Sequence, residues 1–224
     1  MIDLYYWPTA NGLKAAILLE ELGLEHRLLS VNIRAGEQHD AAFQRISANG
    51  RIPAIVDHAP RGGGEPFALF ESGAILGYLA DKTGRFQYDR YRVQEWLFWQ
   101  AGHITPYLSQ LQVFRERVPE PVPRALELLD REAERLYGVL ERRLSEVDYV
   151  AGEYSIADMA IFPWIQPQRQ GRRLADFPRI GTWRERLKAR PAVQRAYAKG
   201  RELAPAERSR PSNEGPFFIE MRFS

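Results

Sequence analysis

At 224 residues, 45% hydrophobic and 12% aromatic, the chain is long and apolar enough to bury a real core as one large domain or two small ones. Its 31 Lys and Arg against 29 Asp and Glu leave a net charge of +2, spread without long single-sign runs, which argues against a nucleic-acid or anionic-membrane surface. The absence of cysteine excludes disulfides, thiolate metal sites and a cysteine nucleophile, and no stretch reaches the roughly 18 apolar residues of a membrane span.

The first 83 residues alternate between strand and helix periods, the mark of an α/β domain. Met1 to Trp7 lacks the basic and apolar regions of a secretory leader, so the protein is expected in the cytoplasm. Ile2 to Trp7 reads as a strand, broken by Pro8, Asn11 and Gly12. Leu13 to Leu22 then carries Ala15, Ala16, Leu19 and Leu22 at helical spacing and ends at Gly23. His26 to Ile33 is a second strand, and Ala41 to Ile46 a short helix after a polar loop. Ile52 to Asp57 and Phe67 to Phe70 read as strands joined by a loop containing Gly62-Gly63-Gly64. Ser72 to Lys82 reads as the closing helix, with Ser72 as its N-cap.

Beyond Gly84 every periodic segment has the helical repeat, so a domain boundary is expected there, dividing the chain into 1–83, 84–203 and a tail, 204–224. Val93, Trp96, Leu97, Ile104, Leu108 and Leu111 trace one face of a long helix bent near Gly102 and Pro106. Leu129, Ala133, Leu136, Leu140 and Leu144 trace another, with Pro123 suited to its first turn. Ser155 and Asp158 have the spacing of a capping box, with Tyr154 and Met159 placed as a hydrophobic staple. The tail ends in Phe217, Phe218, Ile219, Met221 and Phe223, a segment with enough apolar surface to pack back onto the body.

Three segments of the first domain carry candidate chemistry. Arg51-Ile52-Pro53 precedes a strand; a cis Ile52–Pro53 bond would turn the Ile52 amide and carbonyl outward to pair with an extended peptide, whereas a trans proline would simply start an edge strand. Glu71-Ser72 heads a helix, where unpaired amides and the dipole favour a ligand carboxylate and Glu71 can hold an ammonium; a plain helix cap is the simpler alternative. Pro8-Thr9-Ala10-Asn11-Gly12 leads from a strand into a helix. A hydroxyl and an amide at Thr9 and Asn11 can donate to a bound thiolate, or serve only as turn and cap residues.

Together these runs resemble the cytosolic glutathione transferases, from Met1 to about Ala198. The pattern is similar to that of the bacterial Nu class in Pro8-Thr9-Ala10-Asn11-Gly12, Ile52-Pro53-Ala54-Ile55-Val56-Asp57-His58, Phe70-Glu71-Ser72-Gly73-Ala74-Ile75-Leu76 and Trp96-Leu97-Phe98-Trp99-Gln100. Tyr154-Ser155-Ile156-Ala157-Asp158 matches the folding motif of the wider superfamily. The resemblance implies an α/β thioredoxin-like N-terminal domain followed by an all-α C-terminal domain, a homodimer, and glutathione-dependent reduction of a small disulfide with weak conjugating activity. It implies thiol contact by Thr9 and Asn11, glycyl-end contact by Gln38, backbone pairing at Ile52 beside cis-Pro53 with Arg51 in the same glutathione-contacting run, and the γ-glutamyl end at Glu71 and Ser72. Glutathione is the expected co-substrate, with no metal, nucleic-acid or membrane partner. The family's cross-subunit arginine falls on Leu128 here, with Arg124 and Arg131 as substitutes, and the linker near Tyr88 is shorter. A conjugating or ether- or halide-cleaving transferase of electrophiles, and a non-catalytic glutathione-binding module, are the rival functions.

Other signals weigh less. Tyr5 and Tyr6 fit ordinary strand alternation, although a tyrosine near this strand's end binds the thiol in other transferase classes. Gly62-Gly63-Gly64 lacks the Lys-Ser/Thr of a phosphate loop, and the four histidines lack metal spacing. His103, on the long helix, is the histidine expected to face a second-substrate cleft. Trp96, Phe98 and Trp99 are expected in the core and at the domain interface.

Overall fold

A computed structural model describes residues 1–204; the aromatic run from Phe217 to Phe223 lies outside them. Four strands, β1 (Ile2–Tyr6), β2 (His26–Ser30), β3 (Ala54–Asp57) and β4 (Phe67–Phe70), form one mixed sheet in the order β2-β1-β3-β4. β1 lies inside the sheet and is almost wholly buried: Ile2, Leu4 and Tyr6 share one apolar face, while Asp3 on the other is paired with Arg27 and His58. It runs parallel to β2 and antiparallel to β3, and β3 pairs antiparallel with β4. That topology brings the C-terminal ends of β1, β2 and β4 and the N-terminal end of β3 to one end of the sheet. Four segments distant in sequence, those around residues 9, 38, 53 and 71, meet there for that reason.

Three helices complete this region: α1 (Ala10–Leu22), α2 (Ala41–Gln44) and α3 (Ser72–Thr83). α1 starts three residues earlier than its apolar period suggests, because Thr9 caps it by accepting the Gly12 amide at 3.3 Å. Gly12 is needed for a separate reason: a Cβ there would lie 2.1 Å from the Trp7 carbonyl oxygen. Gly23 ends the helix in the left-handed conformation, as expected. β2 and β3 are shorter than the apolar runs that contain them, stopping at Ser30 and starting at Ala54. The N-cap of α3 is Glu71, with Ser72 as its first residue, which corrects the expected cap by one position.

The rest of the described chain is helical: α4 (Arg90–Trp99), α5 (Thr105–Glu116), α6 (Pro123–Glu146), α7 (Ile156–Ile161), α8 (Pro178–Lys188) and α9 (Pro191–Leu203). The expected bend between α4 and α5 is a π-helical segment, Gln100–Ile104, a form that often marks functional positions. Val93, Ile104, Leu108 and Leu111 are buried as their spacing indicates, but Phe98 is 73% exposed, which corrects its placement in the core. The helical period identifies an apolar face without saying what covers it. The capping box of α7 is present, and Asp158 also accepts the Val150 amide at 3.1 Å and the Trp183 indole at 2.9 Å. Tyr154 and Met159, the two staple positions, are both buried.

One apolar core runs from the sheet through α1 and α3 into the later helices, joining Leu13, Ile17 and Leu76 to Ile156, Phe162 and Tyr197. Polar clamps reinforce it. Glu21 of α1 pairs with Arg190 at 2.6 Å and accepts from the Tyr154 hydroxyl at 3.1 Å, and Glu20 pairs with Arg195 at 2.8 Å and with Lys199 of α9. A smaller apolar cluster, including Trp7, Val31, Phe43 and Ile52, lies under the functional end of the sheet. Among the described residues, no helix is long and apolar enough to cross a membrane.

Candidate functional site

A pocket of about 650 Å³ opens between the functional end of the sheet and helices α5 and α7 to α8. It gathers Thr9, Asn11, Gln38, Arg51, Ile52, Pro53, Glu71 and Ser72, all eight residues singled out in the sequence. The Ile52–Pro53 peptide bond is cis. Ser47 helps to seat the segment before it: its hydroxyl donates to the Arg51 carbonyl at 2.9 Å. Glu71 has a left-handed backbone (φ 73°), a conformation that side chains other than glycine adopt mainly where structure or function imposes it. Asn49 donates to the Glu71 carboxylate at 3.4 Å and also lines the pocket.

At the head of α1 the hydrogen-bond directions are defined. The Thr9 oxygen already accepts the Gly12 amide, so its single hydroxyl proton is available to another acceptor. Asn11 is oriented by a residue far away in sequence: the Trp164 indole Nε1 donates to Asn11 Oδ1 at 3.0 Å. An indole only donates, so the oxygen of Asn11 is fixed towards Trp164 and its NH₂ group is left as a donor. Two donors thus stand at a helix N-terminus, where the dipole also favours negative charge.

The opposite wall comes from the helices and was not identified from sequence. Thr105, Ser109, Gln112, Arg117, Trp164, Gln166 and Arg169 line it. Gln112 Nε2 and Gln38 Oε1 are buried in the pocket lining without a hydrogen-bond partner among the described residues, a donor and an acceptor for a polar ligand. Arg34, Arg51, Arg117 and Arg169 outnumber the single lining carboxylate, Glu71, so the pocket favours anions. Burial, with Arg169 and Arg34 nearby, holds the Arg117 guanidinium below its ordinary value. Arg169 is held in place by a bidentate pair with Glu116, one contact at 2.5 Å.

Beneath the pocket, Lys14 of α1 is buried, with Nζ 3.3 Å from Ser72 Oγ and 2.9 Å from Gln100 Oε1. Burial pushes its amine down to about 7, opposed by the nearby Glu71 charge. Tyr6 is fully buried, burial pushes its phenol well up, and neither it nor Tyr5 lines the pocket. His103 is exposed, lies against Tyr107 in a stacked arrangement, and does not line the pocket, contrary to expectation. Arg124 and Arg131 both pair with Glu127 on the exposed side of α6. Among the described residues, no group of three or more His, Cys, Asp or Glu side chains is placed to hold a metal.

Residues 1–81 match the family described as glutathione S-transferase, N-terminal domain, and residues 105–191 match glutathione S-transferase, C-terminal domain. Disulfide-bond oxidoreductase YfcG of Escherichia coli (strain K12) is 47% identical over 205 residues, which cover 89% of this chain and 95% of that protein. A glutathione transferase family member from Pseudomonas fluorescens pf-5, solved with two glutathione bound, superposes with a TM-score of 0.81 at 39% identity, covering 87% of this chain and 91% of that one. A glutathione transferase from Pseudomonas putida, solved with one glutathione disulfide bound per subunit, gives a TM-score of 0.81 at 38% identity, covering 87% and 90%. With its mixed four-stranded sheet, its helical second half and these similarities, the chain belongs to the glutathione S-transferase family.

Proposed function

We propose that this protein is a glutathione-dependent disulfide-bond reductase that works with two glutathione thiols and no cysteine of its own. The observation that carries the reading is the pair of donors, Thr9 and Trp164-oriented Asn11, facing the same pocket as cis-Pro53 and the head of α3. Glutathione is seated with its sulfur at Thr9 and Asn11, its backbone paired at Ile52, its glycyl end at Gln38 and Arg51, and its γ-glutamyl end at Glu71 and Ser72. The helix-lined wall, with Gln112 and Arg117, takes the disulfide and then a second glutathione. YfcG is named a disulfide-bond oxidoreductase, and the solved relatives hold two glutathione or one glutathione disulfide, which supports a pocket large enough for both thiols.

The steps are ordinary thiol–disulfide exchange. The first thiolate attacks one sulfur of the substrate disulfide, forming a mixed disulfide and expelling the other half as a thiolate that takes up a proton. The second glutathione thiolate attacks the glutathione sulfur of that mixed disulfide, giving glutathione disulfide and releasing the remaining half as a thiol. Two electrons pass from two glutathiones to the substrate. The chain supplies position and charge, and holding both thiols in one pocket raises their effective concentration. Two neutral donors suit the task, since a more strongly stabilised thiolate would be a weaker nucleophile.

A reducing compartment is the setting this reaction requires, and the cytoplasm is the proposed location. The functional unit is taken as a glutathione-binding domain, 1–83, with a helical domain, 84–203, and a homodimer is supported by exposed aromatics on α4, with Tyr91 83% and Phe98 73% exposed. Incubation with hydroxyethyl disulfide and glutathione, coupled to reduction of the glutathione disulfide formed, tests the function. Turnover is expected. Thioether products from aryl halides without disulfide turnover would show a conjugating transferase instead, and glutathione binding with neither activity would show a binding module.

A further inference from the structure

Lys14 is a titratable side chain buried in the protein, 2% exposed, and the reaction above does not use it. Its partners form a connected path. Nζ lies 3.3 Å from Ser72 Oγ on one side and 2.9 Å from Gln100 Oε1 on the other, and Gln100 Nε2 donates to Thr105 Oγ1 at 2.5 Å. Gln100 is itself 1% exposed and opens the π-helical segment, whose geometry carries Gln100 and Thr105 through the bend between α4 and α5. Both ends of the path, Ser72 and Thr105, line the pocket, one on the sheet side and one on the helical side.

Hydrogen-bond chemistry gives the path a direction. A protonated amine can only donate, so Ser72 Oγ and Gln100 Oε1 both accept from it. The single proton of the Ser72 hydroxyl must then point elsewhere, and a ligand carboxylate is the acceptor it suits. In the same way, Gln100 presents its NH₂ to Thr105, whose hydroxyl proton is directed onward. A neutral amine has a lone pair and no longer enforces this order. The charged group that acts on Lys14 is Glu71, from the segment ahead of α3; Ser72 of α3 and Gln100 of the π segment are neutral.

We propose that Lys14 is a positioning residue that takes up a proton when a ligand carboxylate seats against Ser72, and so orients the hydroxyls of Ser72 and, through Gln100, Thr105 on the two sides of the pocket. The proposal rests on the reading that the γ-glutamyl end of glutathione lies at Glu71 and Ser72. An added negative charge beside a buried amine favours its charged form. Without ligand the amine sits at about 7, so uptake begins above that value: below it the amine is already charged and has nothing to gain.

Calorimetric titration of the full chain with S-methylglutathione, at about pH 8 in buffers of different ionisation enthalpy, reads the protons exchanged on binding. The methylated sulfur removes the thiol's own proton from the balance. Wild type is expected to take up a large fraction of one proton per ligand. Lys14→Met is expected to bind about tenfold more weakly, a difference of about 1.4 kcal/mol, and to take up none. Lys14→Arg, charged at every accessible pH, is expected to bind with no uptake; a purely structural role would give wild type and Lys14→Arg the same proton balance, so the difference between them is the readout. Binding by wild type without proton uptake, or equal uptake in wild type and Lys14→Met, would overturn the role of Lys14 and leave the glutathione site standing. Absence of binding by wild type would overturn the glutathione site and the role of Lys14 with it. If Lys14→Met does not fold, the wild-type buffer dependence and Lys14→Arg still decide.

Discussion

Trp164 Nε1 donates to Asn11 Oδ1 at 3.0 Å, and this single bond, spanning 153 residues of sequence, sets which face Asn11 turns to the pocket. It makes the helical region part of the proposed thiol site. Trp164→Phe retains the ring and removes the donor, after which the Asn11 amide can rotate and present its oxygen. Turnover in the coupled assay is expected to fall about tenfold, equivalent to about 1.4 kcal/mol of transition-state stabilisation, with little change in the KM for glutathione. A parallel rise in KM with unchanged kcat would assign Trp164 to binding alone.

In the proposed reaction the two donors themselves act on charge that develops on sulfur. Thr9→Ala and Asn11→Ala should each lower kcat about 10 to 100-fold while weakening glutathione affinity only a few-fold, because the peptide is held mainly along its backbone and at its ends. Steady-state kinetics beside calorimetric binding separates the two quantities, and equal losses in both would count against a role on the thiolate. Thr9→Ser keeps the hydroxyl and the cap and is expected to stay close to wild type.

The buried amine leaves a signature in the stability of the ligand-free protein. Lys14 has a folded value of about 7 against an ordinary 10.5, so between these values the unfolded chain binds the extra proton. Stability contributed through this group therefore rises as pH rises through that window and is flat below it. Denaturant unfolding as a function of pH should show a rise from about pH 7 upward that Lys14→Met removes. A Lys14→Met variant with the same pH slope as wild type would show that the amine is not depressed.

Asp158 ties the start of α7 to its surroundings by accepting from the Ser155 and Val150 amides and the Trp183 indole, at 2.9 to 3.1 Å. Asp158→Ala strips the partner from each of these buried donors. A loss of about 2–4 kcal/mol is expected in equilibrium unfolding, with any residual activity per folded molecule unchanged. A loss below about 1 kcal/mol would mean that water replaces the carboxylate at all three donors.

Much of this was legible in the sequence because the signals are local. The strand and helix periods, Gly23, the Ser155–Asp158 box and the runs around Thr9, Pro53 and Glu71 each speak through neighbouring residues. What brings those runs together is the strand order, and sequence spacing carries it only through resemblance. Trp164 was missed because its role arises from a contact 153 residues away, and Gln112, Arg117 and Arg169 because they meet the sheet residues only in the folded pocket, each looking like an ordinary helix or loop residue in its own segment. Lys14 was missed for a related reason: a lysine reads as a solvated position, and its burial and its partners, Ser72 of α3 and Gln100 of the π segment, come from residues distant in sequence. Phe98 erred the other way, since helical spacing marks it as apolar and says nothing about whether this chain or another copy covers it.

In the proposed reaction a borrowed sulfur sits at the head of α1 and does the chemistry. A crystal structure grown with millimolar glutathione tests it most directly. The sulfur is expected within hydrogen-bond distance of Thr9 Oγ1 and the Asn11 amide nitrogen, with the peptide paired at Ile52 and its γ-glutamyl end against Glu71 and Ser72. An empty pocket, or a glutathione whose sulfur lies away from both donors, would contradict it.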